Sequence, residues 1–486
     1  MKMALLRTQL YIDGHWRQSS DQATFDVLNP ATGQVLQACS DATAEDVRDA
    51  CEAAANAFAS FKKTTAKERM VILNKLRDGL LENKKEIGQI LCQENGKPIG
   101  EAEGEVGFAA SFFDWFGQEG RRAYGQVIPT VNGDRQLVCV KQPCGVAAII
   151  TPWNFPIGML ARKAAAALAA GCTVVIKPAE DTPLTALAFA AVCERVGVPH
   201  GLVNVVPCSR SRVAQLGRLL CTEPLVRLLS FTGSTEVGRL LYRDCADTVK
   251  RIHLELGGNA PFVVFDSAEL QMAVTGAMAA KFRNTGQTCV STNRLLVQAG
   301  IYDRFVEALA EAMKTTLKFG DGSIAGNNQG PLINRKQLEK VKSLVEDAVS
   351  HGAHVVMGGK QPPEGGLFYE PTLLTGATKQ MKLYTEEIFG PVVAIYKFAT
   401  EEEAVQIAND TNKGLAGYLY TNDYQQSWRV SMALEYGLVG VNESLTSTCE
   451  APFGGFKHSG IGKEGAQEGL ECFMETKYIC FGGLKM

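Results

Sequence analysis

The sequence predicts an α/β protein organised on a doubly wound parallel sheet, with a second α/β unit behind the first. Three observations carry this. Short β-branched runs such as CTVVIK (172–177) alternate with Ala-rich or amphipathic stretches at helical spacing. The helical stretches stop at glycines, Gly171 and Gly197. The chain, at 486 residues, is too long for one ordinary core. A βαβαβ rhythm implies right-handed crossovers, hence parallel strands with helices on both faces.

In chain order, charged and apolar residues recur at helical spacing from Thr43 to Phe61 and from Lys67 to Asn95, predicting amphipathic helices. Thr43 is a natural N-cap for the first. Arg135 to Lys141 alternates like a strand. Gly145 to Ile150 is an apolar run closed by Thr151-Pro152, a buried strand. Ala161 to Ala170 is helical, Cys172 to Lys177 is a strand, Thr185 to Val196 is a helix, and Gly201 to Pro207 is a third strand. A second series begins near Gly258: strand Pro261 to Phe265, helix Glu269 to Phe282, strand Arg294 to Gln298, helix Tyr302 to Leu317. This places a domain junction at Leu256–Gly258. Tyr478 to Phe481 is a short terminal strand. It and Arg135 to Lys141 stand apart, and isolated strands of this kind often pair across subunits.

Composition narrows the function classes. Apolar residues make up 46%, charged residues 21%, and the net charge is −3. That is ordinary for a globular enzyme and lacks the basic stripe that nucleic acid or a membrane surface would favour. The 14 cysteines form no CxxC pair, and the six histidines are dispersed. Reduced thiols in a reducing compartment are expected, with no metal site and no secretion. The most apolar stretch, 146–176, is broken by Pro152, Pro156, Arg162 and Lys163, so no membrane span is predicted. The opening MKMALLRTQLYIDG is basic and short, without a signal-peptide core, and fits a trimmed mitochondrial presequence as well as a native start.

Two glycine-rich segments invite a phosphate reading. Gly460-Ile-Gly462-Lys-Glu-Gly465 matches GxGxxG literally, but it follows loop-like FGGFKHS and lacks the acidic partner about 20 residues on. Phe231-Thr-Gly233-Ser234-Thr-Glu-Val-Gly238 is the better candidate. It follows the apolar run Leu225 to Leu229 and opens a helix, where N–H groups favour anions. A plain strand-to-helix turn explains it equally well.

TPWNFP (151–156), KPAE (177–180), FTGSTEVG (231–238), LELGG (254–258), GQTC (286–289), EEIFGP (386–391) and PFGGFKHSG (452–460) occur in order, from YIDGHW at 11–16 to the terminal strand. Together they resemble the aldehyde dehydrogenase superfamily. The resemblance implies a doubly wound cofactor domain (1–131 and 148–257), an α/β catalytic domain (258–447) and a small β oligomerisation arm (132–147 and 470–486), with 448–469 returning towards the cofactor domain. It implies Cys289 as the nucleophile, whose thiolate adds to the aldehyde carbon. Asn154 and the backbone N–H of Cys289 would receive the oxyanion. Glu255 would be the general base that activates water on the thioester, since a carboxyl beside apolar neighbours has a raised pKa. That glutamate argues against the coenzyme-A-acylating relatives. Glu464 matches a second family glutamate proposed to relay protons, although an exposed charged loop is the plainer reading there.

For the cofactor, the resemblance implies contacts from Lys177, Pro178, Ala179 and Glu180 at a strand's carboxyl end. Gly233, Ser234, Thr235, Glu236, Val237 and Gly238 would border the pyrophosphate, and Glu387 and Phe389 the nicotinamide ribose. A carboxylate at Glu180 would repel a 2′-phosphate, which favours NAD over NADP. Rarer positions are similar to the succinate-semialdehyde dehydrogenases: Arg283 in FRNTGQTC, Arg162 in MLARKAAAALAAG and Ser447 in VGVNESLTSTCEAPFGG. In those enzymes residues at these positions hold the substrate's distal carboxylate. Two guanidinium forks and a hydroxyl suit such a group and would be costly in a pocket for a plain alkyl aldehyde. The implied reaction is oxidation of succinate semialdehyde in γ-aminobutyrate degradation, by a homodimer or homotetramer in the mitochondrial matrix or cytoplasm. Glutarate semialdehyde, broader aliphatic aldehydes and an inactive crystallin-like role are the alternatives. Some relatives carry a second cysteine two residues after the nucleophile and form a redox disulfide. Here that position is Ser291, so that disulfide cannot form.

Overall fold

The first helix starts where a threonine can satisfy its orphan donors. In the computed structural model, which describes residues 3–131, 133–363 and 365–484, Thr43 accepts from Asp46 N–H and the Asp46 carboxylate accepts from Thr43 N–H. This capping box opens helix Ala44–Phe61. The expected helix over 67–95 is two helices, Ala66–Glu82 and Lys84–Asn95. Asn83 divides them: it leaves helical geometry at φ −105°, and its side-chain amide donates to Gly79 O at 2.7 Å. Such a local bond competes with the helical ladder. Residues 1, 132, 485 and 486, where some of the expected domain limits fall, lie outside the described residues.

The first sheet has the strand order His15–Arg17, Leu10–Ile12, Val203–Val205, Thr173–Lys177, Val146–Ile150, Val226–Thr232, Arg251–Glu255, Gly460–Ile461. The five from Val203–Val205 to Arg251–Glu255 are parallel. Alternate residues of one strand enter different cores. Ala147 and Ile149 pack with helices Pro156–Ala170 and Pro183–Val196, whereas Ala148 and Ile150 pack with helices Ala44–Phe61 and Val213–Thr222. Burial on both faces is why these strands read as unbroken apolar runs. The chain builds outward from Val146–Ile150 on one side and later returns on the other with Val226–Thr232. The switch point therefore lies between these two strands, and open parallel sheets bind ligands at its carboxyl end.

The second sheet runs His354–Met357, Thr372–Thr375, Val392–Phe398, Thr292–Gln298, Ala260–Val264, Ala416–Tyr420, Leu438–Val441. It too is covered on both faces: Val263 and Leu296 pack with helix Arg335–Ser350, and Phe262 and Leu295 with helices Leu270–Phe282 and Tyr302–Thr316.

The two strands that stood apart in the sequence pair with each other within the chain. Met474–Gly482 lies antiparallel on Arg135–Pro143, from Met474 opposite Pro143 to Gly482 opposite Arg135, and Gln126–Ile128 covers the other side. The GxGxxG segment also differs from a plain loop. Gly460–Ile461 is a short strand on the outer edge of Arg251–Glu255, with Gly460 opposite Glu255.

Candidate active site

A cavity of about 580 Å³ opens at the carboxyl end of the first sheet, against the second. It is lined by Asn154, Arg162, Gly233, Ser234, Glu236, Val237, Glu255, Arg283, Cys289, Glu387, Phe389 and Ser447. The remaining sequence candidates, Lys177, Pro178, Ala179, Glu180, Thr235 and Gly238, do not line it.

Cys289 is delivered to the cavity by an unusual turn. Asn284 (φ 49°), Thr285 (φ 57°) and Gly286 (φ 74°) are left-handed in succession. Side-chain-bearing residues avoid that region, so surrounding bonds must impose it. Glu101 accepts from Asn284 N–H at 2.8 Å, Asn284 Nδ2 donates to Asn154 O at 2.9 Å, and Thr285 Oγ1 donates to Gly330 O at 3.2 Å. Gln287 closes the frame by accepting from Ile333 N–H at 3.0 Å. Three residues before its strand begins, Cys289 is half-buried. Its backbone carbonyl lies so near Gly258 that a Cβ there would stand 2.3 Å away. Burial pushes the Cys289 thiol up to about 12; Glu387 and Glu255 add to this, and Arg162 and Arg283 oppose it. The resting sulfur is therefore a thiol, and attack requires a nearby proton acceptor.

Asn154 sits in the proline-flanked turn 151–156, held from beneath by buried charge. Lys97 Nζ donates to Asn154 O at 2.7 Å and pairs with Glu105 at 2.6 Å. The same Glu105 accepts from Ile157 and Gly158 N–H, each at 3.0 Å, at the start of helix Pro156–Ala170. Asn154 Nδ2 donates one hydrogen to Gln287 O at 3.0 Å. Its second hydrogen and the Cys289 N–H, which donates to no acceptor among the described residues, are two unused donors side by side, an arrangement able to receive a negatively charged oxygen.

Glu255 ends its strand buried, and neither carboxylate oxygen has a hydrogen-bond partner among the described residues. Burial raises its pKa well above the usual range, and Glu464 raises it further, against Lys163, Arg162 and Lys463. Glu464 is buried at 4% exposure rather than lying in an exposed loop. It pairs closely with Lys163, and with Arg162 at 3.6 Å. Burial pushes the Glu464 carboxyl up, but Lys163, His253 and Arg162 outweigh it and hold it below the ordinary value.

Along the cleft, Ser234 caps helix Thr235–Ala246, accepting from Val237 N–H at 3.3 Å. At Gly233 a Cβ would stand 2.4 Å from the Phe231 ring, so only glycine brings the backbone this close. Thr235 instead points inward, accepting from Lys413 and donating to His458 O, and Gly238 packs against Leu256. Glu387 accepts from Gly258 N–H at 3.0 Å. Phe389, at φ 55°, meets Trp153 edge-on at 5.4 Å. Lys177 is buried, donating to Pro178 O at 2.8 Å. Glu180 lines an adjoining cavity that shares Arg210, Ile333 and Asn334 with the first, and Arg210 lies 3.2 Å from the Glu180 carboxylate. A glycine cradle, a helix N-terminus and carboxylates at either end fit a dinucleotide's diphosphate and ribose hydroxyls.

At the other end of the cavity, Arg162 is buried and stacked 4.0 Å from the Phe453 ring centroid, and its Nε finds no acceptor among the described residues. Arg283 lies 4.9 Å from the Phe155 ring centroid and makes no ion pair among the described residues. Sequence reading missed this aromatic wall, the Lys97–Glu105 pair, Arg210 and His253. No local pattern marks them, because each matters through a partner remote in the chain.

The family model described as the aldehyde dehydrogenase family matches residues 16–479. The chain is 52% identical over 480 residues to the mitochondrial succinate-semialdehyde dehydrogenase of Rattus norvegicus, covering 99% of this chain and 91% of that one. It is 48% identical over 481 residues to the 3-sulfolactaldehyde dehydrogenase of Pseudomonas putida, covering 99% and 98%. A solved succinate-semialdehyde dehydrogenase from Burkholderia pseudomallei superposes with TM-score 0.96 at 49% identity, covering 99% and 98%.

Proposed function

The chain belongs to the aldehyde dehydrogenase family and is an NAD(P)-linked oxidoreductase acting on a small aldehyde, and from that premise we propose that its substrate is succinate semialdehyde, oxidised to succinate. The carrying observation is a pair of guanidinium groups, Arg162 and Arg283, in the cavity of Cys289, one with an unpartnered Nε and the other without an ion pair among the described residues. Arg162 is buried and Arg283 half-buried, and cations withdrawn from water call for an anion. With Ser447 beside them, they would receive the distal carboxylate and hold the aldehyde carbon at the sulfur.

In the proposed sequence, Cys289 Sγ adds to the aldehyde carbon as its proton passes to a water molecule in the cavity, leaving Glu255 free for the later step. The second Asn154 amide hydrogen and the Cys289 N–H take the oxyanion. When bound along Gly233, Ser234 and Glu387, with Lys177 and Glu180 at its adenosine end, the dinucleotide supplies the hydride acceptor that leaves a thioester on Cys289. Ionised Glu255 then draws a proton from water, whose oxygen attacks the thioester carbon; the C–S bond breaks, the acid leaves, and the proton held by Glu255 passes to the Cys289 thiolate. Glu180 disfavours a 2′-phosphate, so NAD is the proposed cofactor.

We further propose a cofactor domain around the first sheet, a catalytic domain around the second, and the arm Arg135–Pro143 with Met474–Gly482 as the surface of a homodimer or homotetramer. A reducing compartment, mitochondrial matrix or cytoplasm, suits its 14 free cysteines. Among the described residues, no helix is long and apolar enough to cross a membrane. γ-Aminobutyrate degradation is the corresponding pathway. A second reading keeps the same site: a sulfonate would also satisfy the two guanidinium groups, and one close relative is named for 3-sulfolactaldehyde.

The deciding experiment is initial-rate NADH formation with succinate semialdehyde, glutarate semialdehyde, 3-sulfolactaldehyde and propionaldehyde. Succinate semialdehyde should lead in kcat/KM by about tenfold or more, roughly 1.4 kcal/mol of transition-state preference. An equal rate with propionaldehyde would return both arginines to structural roles.

A further inference from the structure

We propose that His253 is a positioning residue for the base: its Nε2 accepts the hydrogen of the protonated Glu255 carboxyl while its Nδ1–H is directed at Glu464, so that the three groups share protons as one unit. This rests on the assignment of Glu255 as the base. His253 and Glu255 are two apart on strand Arg251–Glu255, which puts both side chains on one face. Nε2 stands 3.7 Å from Glu255 Oε1 and Nδ1 stands 3.6 Å from Glu464 Oε1. These are polar approaches rather than hydrogen bonds. Nε2 and both Glu255 oxygens are buried with no hydrogen-bond partner among the described residues, so a small rotation of Glu255 closes the first gap without breaking a bond.

The surroundings are shaped for this array. At Gly462, with φ 90°, a Cβ would stand 2.2 Å from the His253 ring; at Gly460 it would stand 2.3 Å from Leu254 O, and at Gly454 2.7 Å from Glu255 Oε1. The literal GxGxxG thus has a packing role: Gly462 leaves room for the ring, Gly460 lets the segment lie against Leu254 O, and the segment carries Glu464 up to the imidazole. Glu464 is fixed by reciprocal backbone bonds with Phe453, each 2.7 Å.

The charge pattern sets the tautomer. Lys163, Arg162 and Lys463 face the array, and Ser230 Oγ lies 3.5 Å from Nδ1. Burial pushes the His253 imidazole down to about 4; Glu464 opposes this, and the three cations reinforce it. The ring is neutral at pH 7, with one donor and one acceptor nitrogen. An anionic Glu464 draws the hydrogen to Nδ1 and leaves Nε2 as acceptor. Transfer breaks the Glu255 O–H bond and forms Nε2–H, as Nδ1–H breaks and an O–H bond forms on Glu464. No electron changes hands, and the imidazole stays neutral.

The test compares His253→Ala and His253→Gln in kcat against pH, with the pre-steady-state NADH burst as the acylation readout. Losing the acceptor destabilises the protonated form of Glu255, so in His253→Ala the acid limb of kcat should move down by roughly one pH unit. The burst should be unchanged, and His253→Gln, which keeps an acceptor and a donor, should restore most of the limb. An acid limb at the wild-type position in both variants overturns the proposal, as does an equal loss of burst and kcat. A Glu255→Gln control separates the premise: full turnover with an unaltered limb there would remove Glu255 as the base, whatever His253 does.

Discussion

The Arg210 guanidinium stands 3.2 Å from the Glu180 carboxylate, at the end of the cleft proposed for the adenosine ribose. In the proposed binding mode Glu180 would disfavour a 2′-phosphate, and Arg210 would offset that repulsion in part. Arg210 is largely exposed, so the offset is small. Arg210→Ala should lower kcat/KM for NADP by about two- to fivefold more than for NAD, within ~1 kcal/mol. Glu180→Ser should narrow the preference for NAD. Parallel changes with both cofactors would place the ribose elsewhere.

Arg283 is the cleaner probe of the proposed substrate clamp, because Arg162 also faces Glu464. Removing a charge-assisted contact costs about 1.5–3 kcal/mol. Arg283→Ala should lower kcat/KM for succinate semialdehyde by roughly 10- to 100-fold and leave propionaldehyde nearly unchanged. Equal losses on both substrates would remove the clamp.

Glu255→Gln should form one NADH per site and then stall at the thioester, read as a burst without turnover. It should also change stability with pH in a defined direction. In the folded chain Glu255 stays protonated above its ordinary 4.5, whereas in the unfolded chain it ionises, so the wild type loses stability as pH rises from there towards the raised folded value. The variant lacks this loss. Its Tm should match the wild type near pH 4 and exceed it increasingly above, in calorimetry across pH 4 to 8.

Lys97→Met leaves Glu105 as an unpaired buried carboxylate under Asn154. Breaking such a pair costs about 3–5 kcal/mol. Denaturant unfolding should show that loss, and kcat should fall through a loosened Asn154. The double variant Lys97→Met with Glu105→Gln should recover much of the stability but not the kcat.

The parallel strands and the cleft residues were legible because each reports itself locally. Ala148 and Ile150 are apolar beside apolar Ala147 and Ile149, and Cys289 stands in a distinctive GQTC context. What escaped was set by partners far along the chain. The break at Asn83 depends on one side-chain bond to Gly79. The pairing of Met474–Gly482 with Arg135–Pro143 spans more than 300 residues. Glu464 reads as a loop charge until Lys163 and His253 are brought against it. Burial and ionisation belong to the assembled site, and hydrophobic periodicity carries no trace of them.

The left-handed run Asn284–Thr285–Gly286 sets an order in which the enzyme fails on heating. Its geometry is imposed by a few bonds from Glu101, Asn154 and Gly330 rather than favoured by the chain itself. The strain these bonds hold, about 1–3 kcal/mol per residue in left-handed backbone, is released when the turn opens locally. Cys289 should therefore lose its register while both sheets remain intact, and residual activity should decline several degrees below the calorimetric midpoint. On rapid cooling the loss should reverse, because only one turn has to wind back.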